Sequence, residues 1–227
     1  MRTSLARRYW SKSALLVIAT AAALSAPADG GNGGSPLMNP NATFRGKTVQ
    51  EWLFIQNQWV IASGLGGQTD LPDTIKKMRF LPGEFGPGEF EFDIAVTPGT
   101  GFVLSPFFVF GEEYEDGSFD DPVALADLID LILETTTIDV WLDGELVQSG
   151  AADELGAFAY GPTFFDEPIP YTEPQDRGGI FAVAALWGIG VGGVYHPLPP
   201  GEHTIEVVTD SDFFGLFEYT YNITVAE

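Results

Sequence analysis

The chain contains no cysteine. Disulfide staples, thiol catalysis, thiolate metal sites and a lipid anchor carried on a cysteine are all excluded. The fold must be held by its core alone, and at about 200 residues a domain buries roughly 70 per cent of its unfolded surface, enough to do so. Histidine is nearly absent too, with only His196 and His203. A metal site built on both would need their side chains to converge across a proline-rich turn. A structural role at a strand end is the simpler reading for each. Gly-x-Ser-x-Gly, His-Glu-x-x-His and the phosphate-loop pattern are missing, so no nucleophile or zinc motif is present.

Positive charge is the next scarcity. Ten Lys and Arg stand against 32 Asp and Glu, a net charge of −22. A field of that sign repels phosphate backbones and anionic lipid heads, which excludes nucleic acid as a partner. Four of the ten cations, Arg2, Arg7, Arg8 and Lys12, precede an uncharged apolar run from Ala14 to Leu24. That run of about 11 residues is shorter than the roughly 20 a bilayer demands, so no stable membrane insertion is expected. It ends on Ala26-Pro27-Ala28. Basic, apolar, then small-x-small is the order of a secretory signal, so residues 1–28 are read as a signal peptide and the protein as exported to the periplasm or the extracellular space. Arg7-Arg8 with Trp10 and Lys12 also resembles the twin-arginine consensus, although Ala6 and Ser11 depart from it. The general secretory route is the alternative. Cleavage after Ala28 would leave six cations against 32 carboxylates, a net charge of −26. Surfaces this acidic suit saline surroundings, where screening relieves self-repulsion.

Residues 29–45 are rich in Gly, Pro and Asn and are expected to form a flexible leader. Residues 46–227 are expected to form a single domain. Thr48 and Glu51 make a capping box, and Val49, Trp52, Leu53, Trp59 and Val60 fall near one face, so a helix is predicted over 49–62. Its tryptophans are expected to pack on the domain; a ligand-stacking pair is the alternative. The period then changes to two. A strand is predicted over Ile75–Leu81. Glu89–Val96 alternates Phe90, Phe92, Ile94 and Val96 with Glu89, Glu91 and Asp93, the pattern of a half-buried strand. Phe102–Phe110 is apolar on both faces, and Pro106 predicts a bulge or bend within it. A second helix is predicted from Asp121, as cap, to about Glu134, with Leu125, Leu128, Ile129 and Ile132 on one side. Thr137–Gln148 reads as a hairpin turning on Asp143-Gly144. Residues 151–178, with four prolines, read as short strands and a long surface excursion. Ile180–Tyr195, Thr204–Thr209 and Leu216–Val225 complete the strands. The fold class is therefore mainly β: a two-sheet antiparallel sandwich or jelly roll with two accessory helices.

The pieces IDVWLDGELVQSG (138–150), LPPGEHTIEV (198–207) and FEYTYNITV (217–225) resemble the ends of bacterial immunoglobulin-like modules. The chain beyond the signal as a whole resembles an uncharacterised type of secreted prokaryotic β-sandwich domain with a tryptophan-bearing N-terminal helix. The resemblance implies a sandwich and no chemistry.

The richest cluster of potential ligands is GEEYEDGSFDD (111–121). Glu112, Asp116, Ser118 and Asp120 place oxygens at alternating positions around Gly117, as calcium requires, although the EF-hand spacing is absent. Calcium is thus the one candidate cofactor, and a solvated acidic loop is the competing reading. Asn41 and Asn222 head N-glycosylation triplets that are read as chance. Function divides into three classes: a non-enzymatic module binding a protein or carbohydrate, a carboxylate-based hydrolase acting on carbohydrate, and a structural component of a cell envelope.

Overall fold

The computed structural model describes residues 35–227; the expected signal peptide lies outside the described residues. The elements in chain order are β1 (Thr43–Phe44), β2 (Lys47–Thr48), α1 (Val49–Gly64), β3 (Thr74–Ile75), β4 (Met78–Phe80), β5 (Gly88–Val96), β6 (Gly101–Tyr114), α2 (Ala126–Glu134), β7 (Thr136–Leu142), β8 (Glu145–Ala151), β9 (Ala159–Asp176), β10 (Phe181–Tyr195), β11 (Gly201–Ser211) and β12 (Gly215–Val225). They build two five-stranded sheets, ordered β3-β4-β6-β10-β9 and β5-β12-β11-β7-β8, with β1-β2 as a separate hairpin. The protein is mainly β, a two-sheet sandwich with two helices. Most neighbours are antiparallel, and each sheet holds one parallel pair, β4 with β6 and β5 with β12. The chain leaves β4, crosses to the other sheet as β5, and returns as β6.

The main core lies between the sheets, where Phe102, Leu104, Val191 and Tyr195 face Val140, Ile205, Tyr221 and Ile223. The first sheet is buried on its other face as well. There α1 sets Trp52 and Leu53 against Met78, Phe80, Val103 and Val194. This double burial is why β6 and β10 are apolar on both faces while β5 alternates. The capping box forms: Thr48 N–H donates to Glu51 Oε2 at 2.7 Å and Glu51 N–H to Thr48 Oγ1 at 3.2 Å. Trp52 is wholly buried, with its indole N–H donating to Phe44 O. Trp52 and Trp59 both pack against Phe80, so they serve the packing of α1.

The glycines of β10 make that packing close. A Cβ on Gly190 would run into the Asn57 amide and lie 2.8 Å from the Tyr160 ring. Without it, Asn57 reaches Tyr160 and donates to its hydroxyl at 2.7 Å. On the opposite face Trp187 lies over Gly111, where a side chain would collide with its indole. α2 covers this part of the inner face, packing Ile129 on Trp187 and Ile189.

Several sequence expectations are corrected. The stretch expected as a flexible leader is tied to the sandwich from its described part onward: Met38 is 2% exposed, its N–H donates to Val194 O, and Leu37 bridges to Tyr195. The strand expected over 75–81 is a hairpin, because Lys76 and Lys77 both adopt positive φ and turn the chain between β3 and β4. The second helix begins at Ala126, with Leu125 in the cap position. Asp121 instead closes a local turn, accepting from Val123 N–H, and Leu128 on α2 is exposed. Residues 159–176 form one long edge strand, β9. Its prolines are tolerated because an edge strand leaves alternate N–H groups without ladder partners.

Candidate binding groove and its charged end

β6 lies inside the first sheet between β4 and β10, and its two sides differ. Along one side it pairs with β10 from Phe102 to Tyr114. On the other side β4 reaches only Gly101–Val103. Past that point Ser105 and Pro106 form the predicted bulge, where the register with β10 shifts. Beyond the bulge a groove of about 600 Å³ opens. Phe107, Phe108, Val109 and Phe110 supply its floor, the turn Glu84–Phe85–Gly86 one wall, and Phe214, Phe217 and Tyr219 the other. Phe85 stands edge-on to both Phe108 and Phe110, with ring centroids 6.2 and 6.1 Å apart. Phe107 meets Phe214 at 6.1 Å. The rim is open: Phe85 is 38% and Phe214 42% exposed, and Phe213 and Leu216 beside them are also exposed.

One end of the groove is polar. Glu112 on β6 is buried and accepts two bonds from Arg177, from Nε and Nη2, each at 2.7 Å. Tyr171 O–H donates to it at 2.8 Å. Burial and the hydrogen bond to the Glu112 carboxylate push the Tyr171 hydroxyl well above the ordinary phenol range. The bond to Glu112 also raises Arg177. Beside it, Tyr114 O–H donates to the Asp120 carboxylate, and burial followed by the Asp120 charge pushes it up to about 12. No local sequence pattern marks Arg177 or Tyr171 as a partner of Glu112. The available signal was scarcity: Arg177 is the only Lys or Arg after Arg79.

The four candidate calcium ligands are not gathered around one point. Glu112 is committed to Arg177 and Tyr171. Asp120 accepts from Glu112 N–H and Tyr114. Asp116 Oδ1 accepts from the N–H of Ser118 at 2.9 Å and from its hydroxyl at 2.6 Å. These bonds depress the Asp116 carboxyl below its usual range. Asp116 and Asp120 are absorbed by donors within the segment, because a tight acidic loop satisfies its carboxylates with its own N–H and O–H groups, while Glu112 is held from a distant part of the chain by Tyr171 and Arg177. Among the described residues no three His, Asp or Glu side chains come together at metal-binding spacing.

The histidines do not converge either. His203 sets Nδ1 2.7 Å from Asp143 Oδ2 and Nε2 3.0 Å from Pro199 O. His196 is exposed and lies edge-on to Phe44. Both neighbours of His203 are acceptors only, so the ring satisfies both when doubly protonated. Burial alone would lower its pKa; the bonds to Asp143 and Pro199 outweigh that and raise it.

The three sequence pieces that resemble immunoglobulin-like modules fall on the hairpin β7–β8 and the strands β11 and β12, all in the second sheet. No protein-family model, no curated protein and no solved structure matches the chain. The fold and the groove therefore define the molecule by class alone: a β-sandwich with an aromatic groove on its open side. Among the described residues no helix is long and apolar enough to cross a membrane.

Proposed function

We propose that this protein is an exported, non-enzymatic binding module that takes an apolar or aromatic-bearing protein or carbohydrate ligand in the groove beside β6. The observation that carries the reading is the convergence of Phe85, Phe107, Phe108, Phe110, Phe214 and Tyr219 on one open cavity of about 600 Å³. Small-ligand and peptide sites are concave and mostly apolar, with a few placed polar groups, and Glu112 and Arg177 supply those at one end. Partly exposed phenylalanines on the rim cost solubility unless they are used. The hydrolase alternative has less support. Of the two carboxylates lining the groove, Glu84 and Glu112, the second is occupied by three hydrogen bonds from Arg177 and Tyr171. Export is supported by the signal-like order of residues 1–28.

The test is binding to arrayed peptides and glycans by the protein purified after export, with a Phe85→Ser/Phe214→Ser variant beside it. Both side chains are partly exposed, so the variant keeps its fold. Ligands held by the parent and lost by the variant support the reading. Equal binding by both, or turnover of an arrayed glycan, refutes it.

A further inference from the structure

We infer that the groove is a strand-addition site: it accepts an extended, lysine- or arginine-flanked apolar peptide that hydrogen-bonds to the free backbone edge of β6 at Phe108 and Phe110. This rests on the binding-module reading and deepens it.

Three observations lead there. The first is the shape of the groove. Side chains alternate across a strand, so Phe107 and Val109 point to one face of the sheet and Phe108 and Phe110 to the other. Phe107 and Val109 pack in the interior and on α2, while Phe108 and Phe110 pack beneath α1. All four line the same cavity. A cavity can touch both faces of a strand only by running along its edge.

The second is the state of that edge. Near the end of β6 the Glu112 backbone faces away from β10: Asp120 N–H donates to Glu112 O, and Glu112 N–H donates to the Asp120 carboxylate. Backbone direction alternates along an antiparallel strand; the register shift between Ala185 and Trp187 inserts Leu186 into β10 and leaves β6 without an extra residue from Phe107 to Glu112. The N–H and C=O of Phe110 and Phe108 therefore face the groove. Among the described residues no strand lies beside them on that side. Sheet edges left open in this way are templates for another strand, and proteins blunt them by shortness, proline or charge. The four outer strands are blunted, β8 by Glu145 at its start and a bulge at Val147. β3 is two residues long, β9 carries Pro162, Pro168, Pro170 and Pro174, and β5 alternates Glu89, Glu91 and Asp93. The free part of β6 beyond Pro106 reads Phe-Phe-Val-Phe-Gly, with neither proline nor charge.

The third is charge, which selects the occupant. Five of the six cations among the described residues, Arg45, Lys47, Lys76, Lys77 and Arg79, belong to the β1–β2 and β3–β4 hairpins. There Lys77 O accepts from Gly101 N–H and Arg45 Nη2 donates to Gly99 O, at the start of β6. The groove begins past Pro106, and its only cation, Arg177, is neutralised by Glu112. Glu84 stands on its wall, and Glu113 and Glu115 follow at its end. A second copy of a chain with net charge −22 is repelled from such a site. A peptide with cationic ends is drawn to it. Its centre would be apolar on both sides, because the added strand sends alternate side chains to Phe108 and Phe110 and to Phe107 and Tyr219.

The experiment titrates the protein, purified after export, with a lysine-capped peptide whose centre alternates valine and phenylalanine. Two relatives of the peptide carry N-methyl groups on alternate backbone nitrogens, one set in each register. Strand addition uses the nitrogens of one register only. The expected result is that one N-methylated peptide binds roughly tenfold or more weakly than the parent while the other binds as the parent does. Hydrogen exchange then slows at the Phe108 and Phe110 amides and stays unchanged at Val109, which is already paired to β10. Equal binding by both methylated peptides, or no protection at Phe108 and Phe110, overturns strand addition while leaving a side-chain binding groove intact. Protection of those amides on self-association, with no response to peptide, overturns the proposed occupant in favour of a second copy. Loss of the binding-module reading has a separate signature: no ligand of any kind depends on Phe85 and Phe214.

Discussion

Glu112 and Arg177 share one ion pair but not one environment. The Glu112 side chain is 7% exposed and the Arg177 side chain 41%. Removing the acid leaves a cation that can turn into water; removing the cation leaves a buried carboxylate with only Tyr171 beside it. Breaking a buried pair is costly because the surviving charge is uncompensated. Arg177→Ala is therefore expected to destabilise by about 3 kcal/mol and Glu112→Gln by roughly 1 kcal/mol, read as the difference in denaturant midpoints. The reverse order would place the energy of the pair in Tyr171 and the loop. His203 sets a pH dependence of known sign. Its folded pKa is raised, so its contribution is fully present below the unfolded value of about 6.5 and is lost as pH rises through the folded value. The stability gap between the parent and His203→Gln should be widest near pH ~6 and should narrow by pH ~8.5. Because Asp143 is half exposed, the gap is expected to be small, roughly 0.5 kcal/mol. A gap that widens with pH would mean the ring is held neutral.

At the scale of elements, the contact between α1 and β10 depends on what glycine omits. Gly190→Ala puts a methyl group against Asn57 and Tyr160 and must lift the helix or break their hydrogen bond. The expected cost is about 2 kcal/mol. Gly161→Ala is the control, since a Cβ there meets nothing within 4 Å; equal midpoints for the two variants would show that α1 yields freely. The elements most legible in the sequence are those specified within a few residues. Thr48 and Glu51 mark the start of α1 because both halves of the box are local. Asp143 and Gly144 mark the β7–β8 turn because both adopt positive φ and are residue types that tolerate it. The β3–β4 turn was illegible for the converse reason: Lys76 and Lys77 carry no turn signal, and the pairing of Thr74 with Arg79 and Ile75 with Met78 holds them there. The start of α2 was misplaced because Asp121 and Pro122 have the chemistry of a helix start yet are used in the preceding turn.

The whole molecule carries its charge unevenly, with five of its six described cations at the two N-terminal hairpins and acids elsewhere. Self-repulsion of that kind is relieved by screening, since the Debye length falls to about 3 Å in molar salt. The unfolding midpoint is expected to rise by about 5 °C between low and molar NaCl; no rise in calorimetry would show that the carboxylates are spaced beyond mutual repulsion. Composition and local pattern suffice for the lack of cysteine chemistry, the acidic field, the mainly-β class, the approximate strands and the first helix. Each of these follows from composition or from periodicity within one segment. Tertiary structure alone decided the parallel pairings, the partners of Glu112 and the groove. The Glu112–Arg177 pair joins residues 65 positions apart, and the groove joins Phe85, Phe107–Phe110 and Phe214–Tyr219. Such meetings are fixed by which strands become neighbours, and no local pattern encodes that. The free edge of β6 is the clearest case. Its apolar run reads as a buried central strand, and only the shortness of β4 beside it leaves Phe108 and Phe110 with unused hydrogen bonds.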